Sequence, residues 1–188
     1  MNEDKISTIK AAQKGDKLAL IKLIKQEQNN IYSTLFYLKK DEIDLLDIMQ
    51  DILIKISRKI RQLKNPDNFK TWLNQIVLNS YYDYLRKIKN RPKNINLEKF
   101  SDDSQLELPD YSSNPQDRIL YSELDFIIKN AIQNLPNHYK IPITLREIQG
   151  LSYDEISDIT KTTVGTVKSR IARARALIKN DINRYTKG

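Results

Sequence analysis

The sequence predicts an all-α protein: two small helical domains joined by an extended linker, with a helix-turn-helix in the C-terminal domain. Apolar residues recur at spacings of three and four through most of the chain, as on one face of an α-helix. The 188 residues include only four glycines, and the β-branched alternation typical of strands is nearly absent. Residues 94–117 lack helical spacing and are rich in Asp, Ser, Asn and Pro, a composition that favours a linker.

The domain boundaries follow from these features. Residues 1–93 are expected to form one helical domain, residues 94–113 an acidic flexible linker, and residues 114–188 the helix-turn-helix domain. The last boundary depends on Asn114 and Pro115, which have the order of a helix N-cap followed by a proline at the first helical position.

Charge is distributed unevenly along the chain. The formal net charge is +8, yet residues 41–54 carry five acids and no base, while residues 55–93 have eleven bases against two acids. The net charge then falls to −6 over residues 98–125 and returns to +7 over residues 160–188. Two basic blocks separated by an acidic one indicate two nucleic-acid contacts on one chain.

The sequence lacks the features of several classes of protein and site. The sequence has no cysteine, which suits a reducing compartment. Its N-terminal residues lack the apolar run of a signal peptide, and no stretch reaches the ~18 apolar residues of a membrane span. The single histidine, His138, lies at a helix start, and neither a Gly-rich phosphate loop nor a calcium loop is recognisable. We therefore expect a soluble cytoplasmic protein that is not an enzyme and has no metal, cofactor or small-molecule substrate.

The third predicted helix, at residues 41–61, has two distinct faces. The residues expected to face the core repeat at a/d spacing: Leu46, Met49, Leu53, Ile56 and Ile60. The strip that points away from them consists of Asp47, Gln50, Asp51, Ile54 and Arg58. An isoleucine within an exposed polar strip is typical of a protein-docking surface, although the strip taken alone is more simply explained as a solvated helix face.

A fourth helix is predicted at residues 70–89, after the short break "LKNPDNF". Its buried side is expected to contain Leu73, Val77, Tyr81, Tyr84 and Ile88. The other side carries Trp72, Gln75, Ile76, Asn79, Tyr82, Asp83 and Arg86. Aromatic rings beside amides and cations suit unpaired bases, because rings stack, amides bind base edges and cations bind phosphates. The alternative is that Trp72 and the tyrosines belong to the core.

The helix-turn-helix is predicted from a capping box and a basic helix. Ser152 and Glu155 form the capping box of a short helix, and a tight turn leads to residues 164–179, which hold five cations and no acid. On a helical wheel the apolar residues fall on one stripe: Val167, Ile171, Ala174 and Ile178. The opposite face has small residues at its centre and cations around them, as a helix entering a DNA major groove requires.

This basic helix receives specific assignments. The residues predicted to contact base edges are Lys168, Ser169, Ala172 and Arg173. The residues predicted to contact the DNA backbone are Arg170 and Arg175. A solvated basic helix near the chain end is the alternative. Upstream of this motif, Pro142 lacks a backbone N–H, so we expect the helix around it to start late or to kink.

Taken in order, these segments resemble the extracytoplasmic-function (ECF) group of bacterial RNA polymerase sigma factors. The resemblance covers nearly the whole chain and is carried by "GDKLALIKLI", "DIMQDILIKI", "FKTWLNQIVLNSYYDYLRK" and the long C-terminal segment from "LPNHYK" to "ARARALI". Within the last segment, "LSYDEI" and "GTVKSR" are the most specific blocks. A single helix-turn-helix match is common by chance, whereas this ordered set over two domains is not.

The resemblance implies a role for each surface. The third helix would dock the clamp helices of core RNA polymerase through Asp47, Gln50, Asp51 and Ile54. The unpaired strand of the −10 promoter element would be captured by the loop at residues 62–68 and by the fourth helix. The residues of that set are Arg61, Asn65, Asn68, Phe69, Trp72, Gln75, Asn79, Asp83 and Arg86.

The C-terminal helix would bind the −35 duplex of the promoter. Its DNA-binding set is Thr166, Lys168, Ser169, Arg170, Ala172, Arg173 and Arg175. The helix before it would face the polymerase flap tip, and the acidic linker would thread toward the RNA exit path. The implied partners are core RNA polymerase, promoter DNA and an anti-sigma factor.

Two other functions remain open at this point. A stand-alone helix-turn-helix regulator would use only its C-terminal domain, keep its N-terminal half for dimerisation or ligand sensing, and bind duplex DNA tightly alone. A basic helical RNA-processing or ribosome-associated protein would leave the C-terminal helix without duplex specificity. A sigma factor should instead need core polymerase and prefer a non-template single strand.

Overall fold

The computed structural model describes residues 3–39, 44–90 and 115–185, and in the last range it describes side chains from residue 124 onward. Within these residues the chain is helical and contains no strand, which confirms the predicted all-α class. The helices are α1 (Glu3–Gln13), α2 (Lys17–Leu38), α3 (Leu45–Lys59), α4 (Phe69–Lys89), α5 (Pro115–Gln133), α6 (Asn137–Glu147), α7 (Tyr153–Thr160) and α8 (Val164–Tyr185). Short 3₁₀ turns at Ile60–Gln62 and Pro66–Asn68 connect α3 to α4. None of the described helices combines the length and apolar character needed to cross a bilayer.

The first two helices meet at a turn that the sequence specifies locally. Gly15 has φ +99°, a conformation that side chains disfavour. Asp16 then accepts hydrogen bonds from the backbone N–H groups of Leu18 and Ala19 and so caps α2.

Helix α3 begins later than predicted and is rotated relative to the predicted stripe. Met49, Ile56 and Ile60 are buried, but Leu46 is 64% exposed, so its assignment to the core is wrong. The reason is that Leu45 and Ile48 take the inner positions of the first turn, which places Leu46 about 100° away on the wheel.

Helix α4 is buried on more sides than the sequence indicated. Leu73, Val77 and Tyr81 are buried as predicted, but Ile76, assigned to the polar side, is buried too. Ile88, assigned to the core, is exposed. Packing against α3 on one side and α7 on another explains the wider buried surface, and Ile88 lies in the last turn, beyond most of that packing.

The C-terminal half, residues 115–185, contains the predicted capping box. Ser152 Oγ accepts from Glu155 N while Ser152 N donates to Glu155 Oε2, so α7 begins as predicted. Helix α6 departs from expectation because it runs through Pro142 from Asn137 without a late start. The hydrogen bond that Pro142 cannot donate would have gone to the carbonyl of His138, an exposed residue that water can reach.

The described residues pack around two apolar clusters. The first lies within α1–α4 and their 3₁₀ turns. The second contains α5–α8 side chains together with Leu38, Leu78 and Tyr81 of the N-terminal half, residues 3–90. The halves therefore share a core, and Gln133 Nε2 also donates to the carbonyls of Phe36 and Lys39, each at 2.6 Å. The division into two domains remains a prediction, and the linker at 94–113 lies outside the described residues.

Candidate nucleic-acid interface

The start of α8 is fixed by local hydrogen bonds and by its inner face. Thr163 Oγ1 accepts from the backbone N–H of Thr166 at 3.2 Å, and the Thr163 carbonyl accepts from Val167 N at 3.0 Å. Val167, Ile171 and Ala174 are buried in the second apolar cluster, as the wheel predicted. Their burial fixes which side of α8 faces outward.

The outward face of α8 carries the predicted base-contacting residues. Lys168, Ser169, Ala172 and Arg173 are all exposed. Ala172 contributes no long side chain at the centre of this face, so a duplex can approach the helix backbone closely there. Thr166, at the N-terminal end of the face, is half-buried.

The two flanking arginines of α8 have different surroundings. Arg175 is exposed and donates to Glu147 Oε1 from Nη2 at 2.6 Å and from Nε at 3.2 Å. These bonds, followed by the attraction of the Glu147 charge, raise the pKa of the guanidinium. Arg170 is half-buried and lines a groove of about 340 Å³ together with Tyr82 of α4. Burial raises the pKa of the Tyr82 hydroxyl, and the charge of Arg170 opposes that effect.

A second surface lies in the groove between α3 and α4, which we call the α3–α4 groove. It measures about 670 Å³, and its polar lining consists of Lys55, Lys59, Asn79, Tyr82, Asp83, Arg86 and Lys89. Asn79 and Arg86 are exposed and Asp83 is half-exposed, so the predicted polar stripe of α4 is open to solvent. Four of these residues are cations and one is an acid, which gives the groove a positive balance.

The carboxylate of Asp83 organises the α3–α4 groove. One oxygen accepts from Lys55 Nζ at 3.0 Å and the other forms a short ion pair with Arg86. Partial burial pushes the pKa of Asp83 upward, but the hydrogen bonds from Lys55 and Arg86 outweigh burial, and the net pKa is lowered. Lys55 also donates to Ser80 Oγ at 2.9 Å. Lys55 was not predicted to belong to this surface, because its position on α3 gave no sign that it would reach α4.

The loop before α4 and the first turns of α4 form the remaining part of the predicted strand-binding surface. Arg61, Asn65 and Asn68 are exposed on the 3₁₀ turns, and Asn65 Oδ1 accepts from Asp67 N. Gln75 is half-buried and donates to Asn79 Oδ1 at 3.1 Å, which links the two amides predicted to bind base edges.

Phe69 does not belong to this surface. Its ring is 1% exposed in the first apolar cluster, and it lies 5.7 Å from the ring of Trp72. The predicted contact between Phe69 and a base is therefore wrong, because phenylalanine at the start of α4 turns inward to fill the core. Trp72 is half-buried and keeps one part of its indole accessible.

A third groove, which we call the α4–α7 groove, lies between this loop and α7. It measures about 420 Å³ and is lined on one side by Asn65, Asn68, Thr71, Trp72 and Gln75 and on the other by Glu155, Asp158 and Lys161. Thr71 Oγ1 donates to Glu155 Oε1 across the groove at 2.7 Å. Burial raises the pKa of Glu155, but bonds from Ser152 and Thr71 and the charge of Lys70 lower it overall.

The exposed strip of α3 forms a surface of a different character. Asp47, Gln50, Asp51 and Ile54 are exposed, and Ile54 presents 41% of its surface. Leu46, which was expected in the core, adds a second exposed apolar side chain to α3. The arrangement is an acidic surface with apolar side chains.

No group of His, Cys, Asp and Glu within the described residues has the geometry of a metal site. The α3–α4 and α4–α7 grooves are lined by cations, amides and aromatic rings.

Comparison with known proteins relates both halves of the chain to one family. Residues 23–91 match the family described as sigma-70 region 2, and residues 125–178 match sigma-70, region 4. The chain is 37% identical over 180 residues to the ECF RNA polymerase sigma-E factor of Haemophilus influenzae, with 93% of each chain covered. The chain belongs to the ECF sigma factors.

Other relatives support the same assignment for this sigma factor. It is 34% identical to the ECF RNA polymerase sigma-E factor of Escherichia coli K12 over 93% of its own length and 92% of the relative's. A sigma factor directs core RNA polymerase to promoters, so the protein acts in transcription initiation. A stand-alone regulator is disfavoured because the match includes region 2 as well as the helix-turn-helix.

Two solved structures share the fold. CnrH in complex with the cytosolic domain of CnrY has a TM-score of 0.67 at 19% identity, with 97% of this chain and 99% of that chain covered. The sigma factor RpoE of Bartonella quintana, in complex with the anti-sigma factor NepR, has a TM-score of 0.67 at 22% identity, with 85% of this chain and 94% of that chain covered. The helical fold of this sigma factor is therefore shared across distant sequences.

Proposed function

We propose that this sigma factor uses three separate surfaces to start transcription. The outward face of α8 binds the −35 duplex through Lys168, Ser169, Ala172 and Arg173. The α3–α4 groove and the loop before α4 bind the unpaired −10 strand. The acidic strip of α3 binds core RNA polymerase through Asp47, Gln50, Asp51 and Ile54.

The observation that carries this proposal is the exposure of polar groups on two different helices whose inner faces are fixed in cores. Asn79 and Arg86 on α4 are exposed, as are Lys168 and Arg173 on α8. These cations lie outside both apolar clusters, and a chain that binds nucleic acid at two places needs exposed cations at both.

Strand opening follows from the chemistry of the α3–α4 groove. Exposing a base costs a few kcal/mol of stacking and pairing energy. A groove that stacks bases on Tyr82 and holds phosphates with Lys55 and Arg86 recovers part of that cost only after the strands separate. Binding energy at this site therefore shifts the promoter toward its open state.

We assign no chemical step to the chain itself. The polymerase supplies the catalysis, and the sigma factor supplies recognition, so its place of action is the cytoplasm where the polymerase works. By analogy with the solved complexes, whose partners are CnrY and the anti-sigma factor NepR, an anti-sigma factor is the expected inhibitor.

A binding experiment tests the proposed division of roles. Fluorescence anisotropy would compare a −35 duplex and a −10 non-template strand as ligands of the free chain and of its complex with core polymerase. We expect sequence-dependent binding of the single strand only in the complex. Tight, sequence-specific duplex binding by the free chain, unchanged by polymerase, would instead support a stand-alone regulator.

A further inference from the structure

The first helix, α1, packs against the loop that precedes α4. The match to sigma-70 region 2 begins at residue 23, so α1 and its turn into α2 lie outside that match. Helix α1 contacts both 3₁₀ turns of the loop, Ile60–Gln62 and Pro66–Asn68. None of the three surfaces proposed above includes a residue of α1, so its contact with the loop calls for a separate explanation.

Gln13, the last residue of α1, bonds to the loop on both sides of Arg61. Its Nε2 donates to the carbonyl of Leu63 at 2.6 Å and to the carbonyl of Ile60 at 3.3 Å. The Ile60 carbonyl also accepts from Leu63 N at 3.2 Å, which closes the first 3₁₀ turn. One side-chain amide on α1 therefore fixes both ends of this turn.

The same turn separates buried side chains from an exposed cation. Ile60 and Leu63 are buried in the first apolar cluster, whereas Arg61 between them is exposed. The two apolar side chains and the Gln13 amide hold the backbone from the inside of the domain. The position from which the Arg61 side chain leaves the backbone is therefore fixed.

The turn between α1 and α2 leaves room for the Arg61 guanidinium. Gly15 has φ +99°, and a Cβ atom placed on it would lie 3.1 Å from Arg61 Nη2. A side chain at this position would displace the guanidinium, and the positive φ would strain the backbone as well. The turn that follows α1 therefore lies against the same arginine whose backbone Gln13 holds.

We propose that Gln13 is a positioning residue of the −10 site, which holds the turn at Ile60–Gln62 so that Arg61 meets a phosphate of the unpaired strand. This inference rests on the proposed function of the loop before α4. Arg61 contacts the strand, and Gln13 acts through it. A cation on a fixed turn loses less conformational freedom on binding than one on a mobile turn, so holding the turn raises affinity for the strand.

A double-mutant cycle tests the positioning role. Gln13→Leu keeps a side chain of similar size and removes both donors, and it is combined with Arg61→Ala. Each full-length chain, in complex with core polymerase, is titrated with a −10 non-template oligonucleotide and with a −35 duplex. Gln26→Leu is the matched control, because Gln26 is exposed on α2 and does not line the α3–α4 groove or the α4–α7 groove.

We expect Gln13→Leu to weaken binding of the oligonucleotide about fivefold when Arg61 is present and to change it little in the Arg61→Ala background. Affinity for the −35 duplex should stay constant, whereas a general loss of folding would lower it too. Equal effects of Gln13→Leu in both backgrounds, or no effect in either, would overturn the positioning role.

The same titrations distinguish failure of the proposed function from failure of this inference. If the wild-type complex does not bind the oligonucleotide, the proposed −10 site itself is refuted. If the wild-type complex binds but Arg61→Ala binds equally well, Arg61 does not belong to the site and the positioning role falls with it.

Hydrogen exchange of the free chain provides a second measurement that does not depend on DNA. The Leu63 N–H bonds to the Ile60 carbonyl that Gln13 also holds, so peptides that span residues 60–68 report on the turn. Gln13→Leu should speed exchange in these peptides and leave exchange in α7 unchanged, because local opening is confined to the elements that lose support. Unchanged exchange in the turn would show that Gln13 does not hold it and would overturn the proposal.

Discussion

Asp83 binds Lys55 and Arg86 at the same time, one cation on each carboxylate oxygen. Lys55 comes from α3 and Arg86 from the next turn of α4, so the carboxylate fixes the relative positions of two cations that line one groove. Asp83 therefore has a positioning role for two of the cations that line the α3–α4 groove.

Replacing Asp83 should separate affinity from specificity. In Asp83→Asn the negative charge disappears, and Lys55 and Arg86 lose the ion pairs that hold them in place. We expect the complex with core polymerase to bind all single strands more tightly but to discriminate less between a −10 sequence and a scrambled one. Asp181→Asn, an equal charge change far along α8, should alter neither property. Unchanged discrimination in Asp83→Asn would contradict the positioning role.

The two arginines of α8 should respond differently to truncation. Arg173 is exposed on the face assigned to base edges, so Arg173→Ala should cost about 1–3 kcal/mol on a specific −35 duplex and relax specificity locally. Arg175 pairs with Glu147 and is assigned to the DNA backbone. Arg175→Ala should therefore weaken binding to every sequence alike and reduce the slope of log affinity against log salt concentration by about one. Equal losses on specific and scrambled duplexes for both variants would refute this division.

The capping box of α7 should contribute measurable stability. Ser152→Ala removes the side-chain acceptor of Glu155 N, and the loss of such a cap costs about 0.5–2 kcal/mol. Urea unfolding measures the change. Ser57→Ala is the control, because the Ser57 hydroxyl is exposed in the last turn of α3 and only donates to the Ile54 carbonyl. Identical midpoints for the two variants would show that the box is not a stabilising element.

Tyr81 should make the fold sensitive to alkaline pH. Burial, followed by the nearby Tyr82, raises the pKa of Tyr81 from 10.0 to about 12. Because the folded state holds this proton more firmly than the unfolded state does, the stabilisation is fully present below pH 10 and is lost as the pH rises through about 12. The free energy of unfolding of the wild type should therefore fall across this range.

The variant Tyr81→Phe isolates that contribution. At a pH of about 9 it should be less stable by about 0.5–1.5 kcal/mol, since the hydrogen bond to the Leu38 carbonyl is lost. The deficit should shrink as the pH rises above the ordinary tyrosine pKa of 10.0, because phenylalanine does not ionise. Tyr185→Phe, at an exposed residue, is the control. A deficit that stays constant with pH would contradict the assignment to Tyr81.

Local features of this fold were predictable from the sequence. The capping box of α7 depends on Ser152 and Glu155, which are three positions apart, and it formed as predicted. The inner stripe of α8 was also correct, because one helix face packed against a single neighbouring core follows the helical period.

Features that depend on distant contacts were not predictable in the same way. Lys55 and Asp83 lie 28 residues apart, and their contact requires the relative rotation of α3 and α4. The burial of Ile76 and Leu78 requires α4 to pack on more than one side. The burial of Phe69 was not predictable for the same reason. An aromatic residue at a helix start fits a binding surface and a core equally well, and only the positions of the neighbouring helices decide between them.

Run-off transcription tests the central claim most directly. Purified core polymerase is supplied with a promoter library, with and without this sigma factor, and transcript start sites are mapped. We expect start-site-specific transcripts only when the chain is present, and their loss with Arg173→Ala on templates that share one −35 sequence. No gain in specific transcript on any template would contradict the assignment of promoter recognition to these helices.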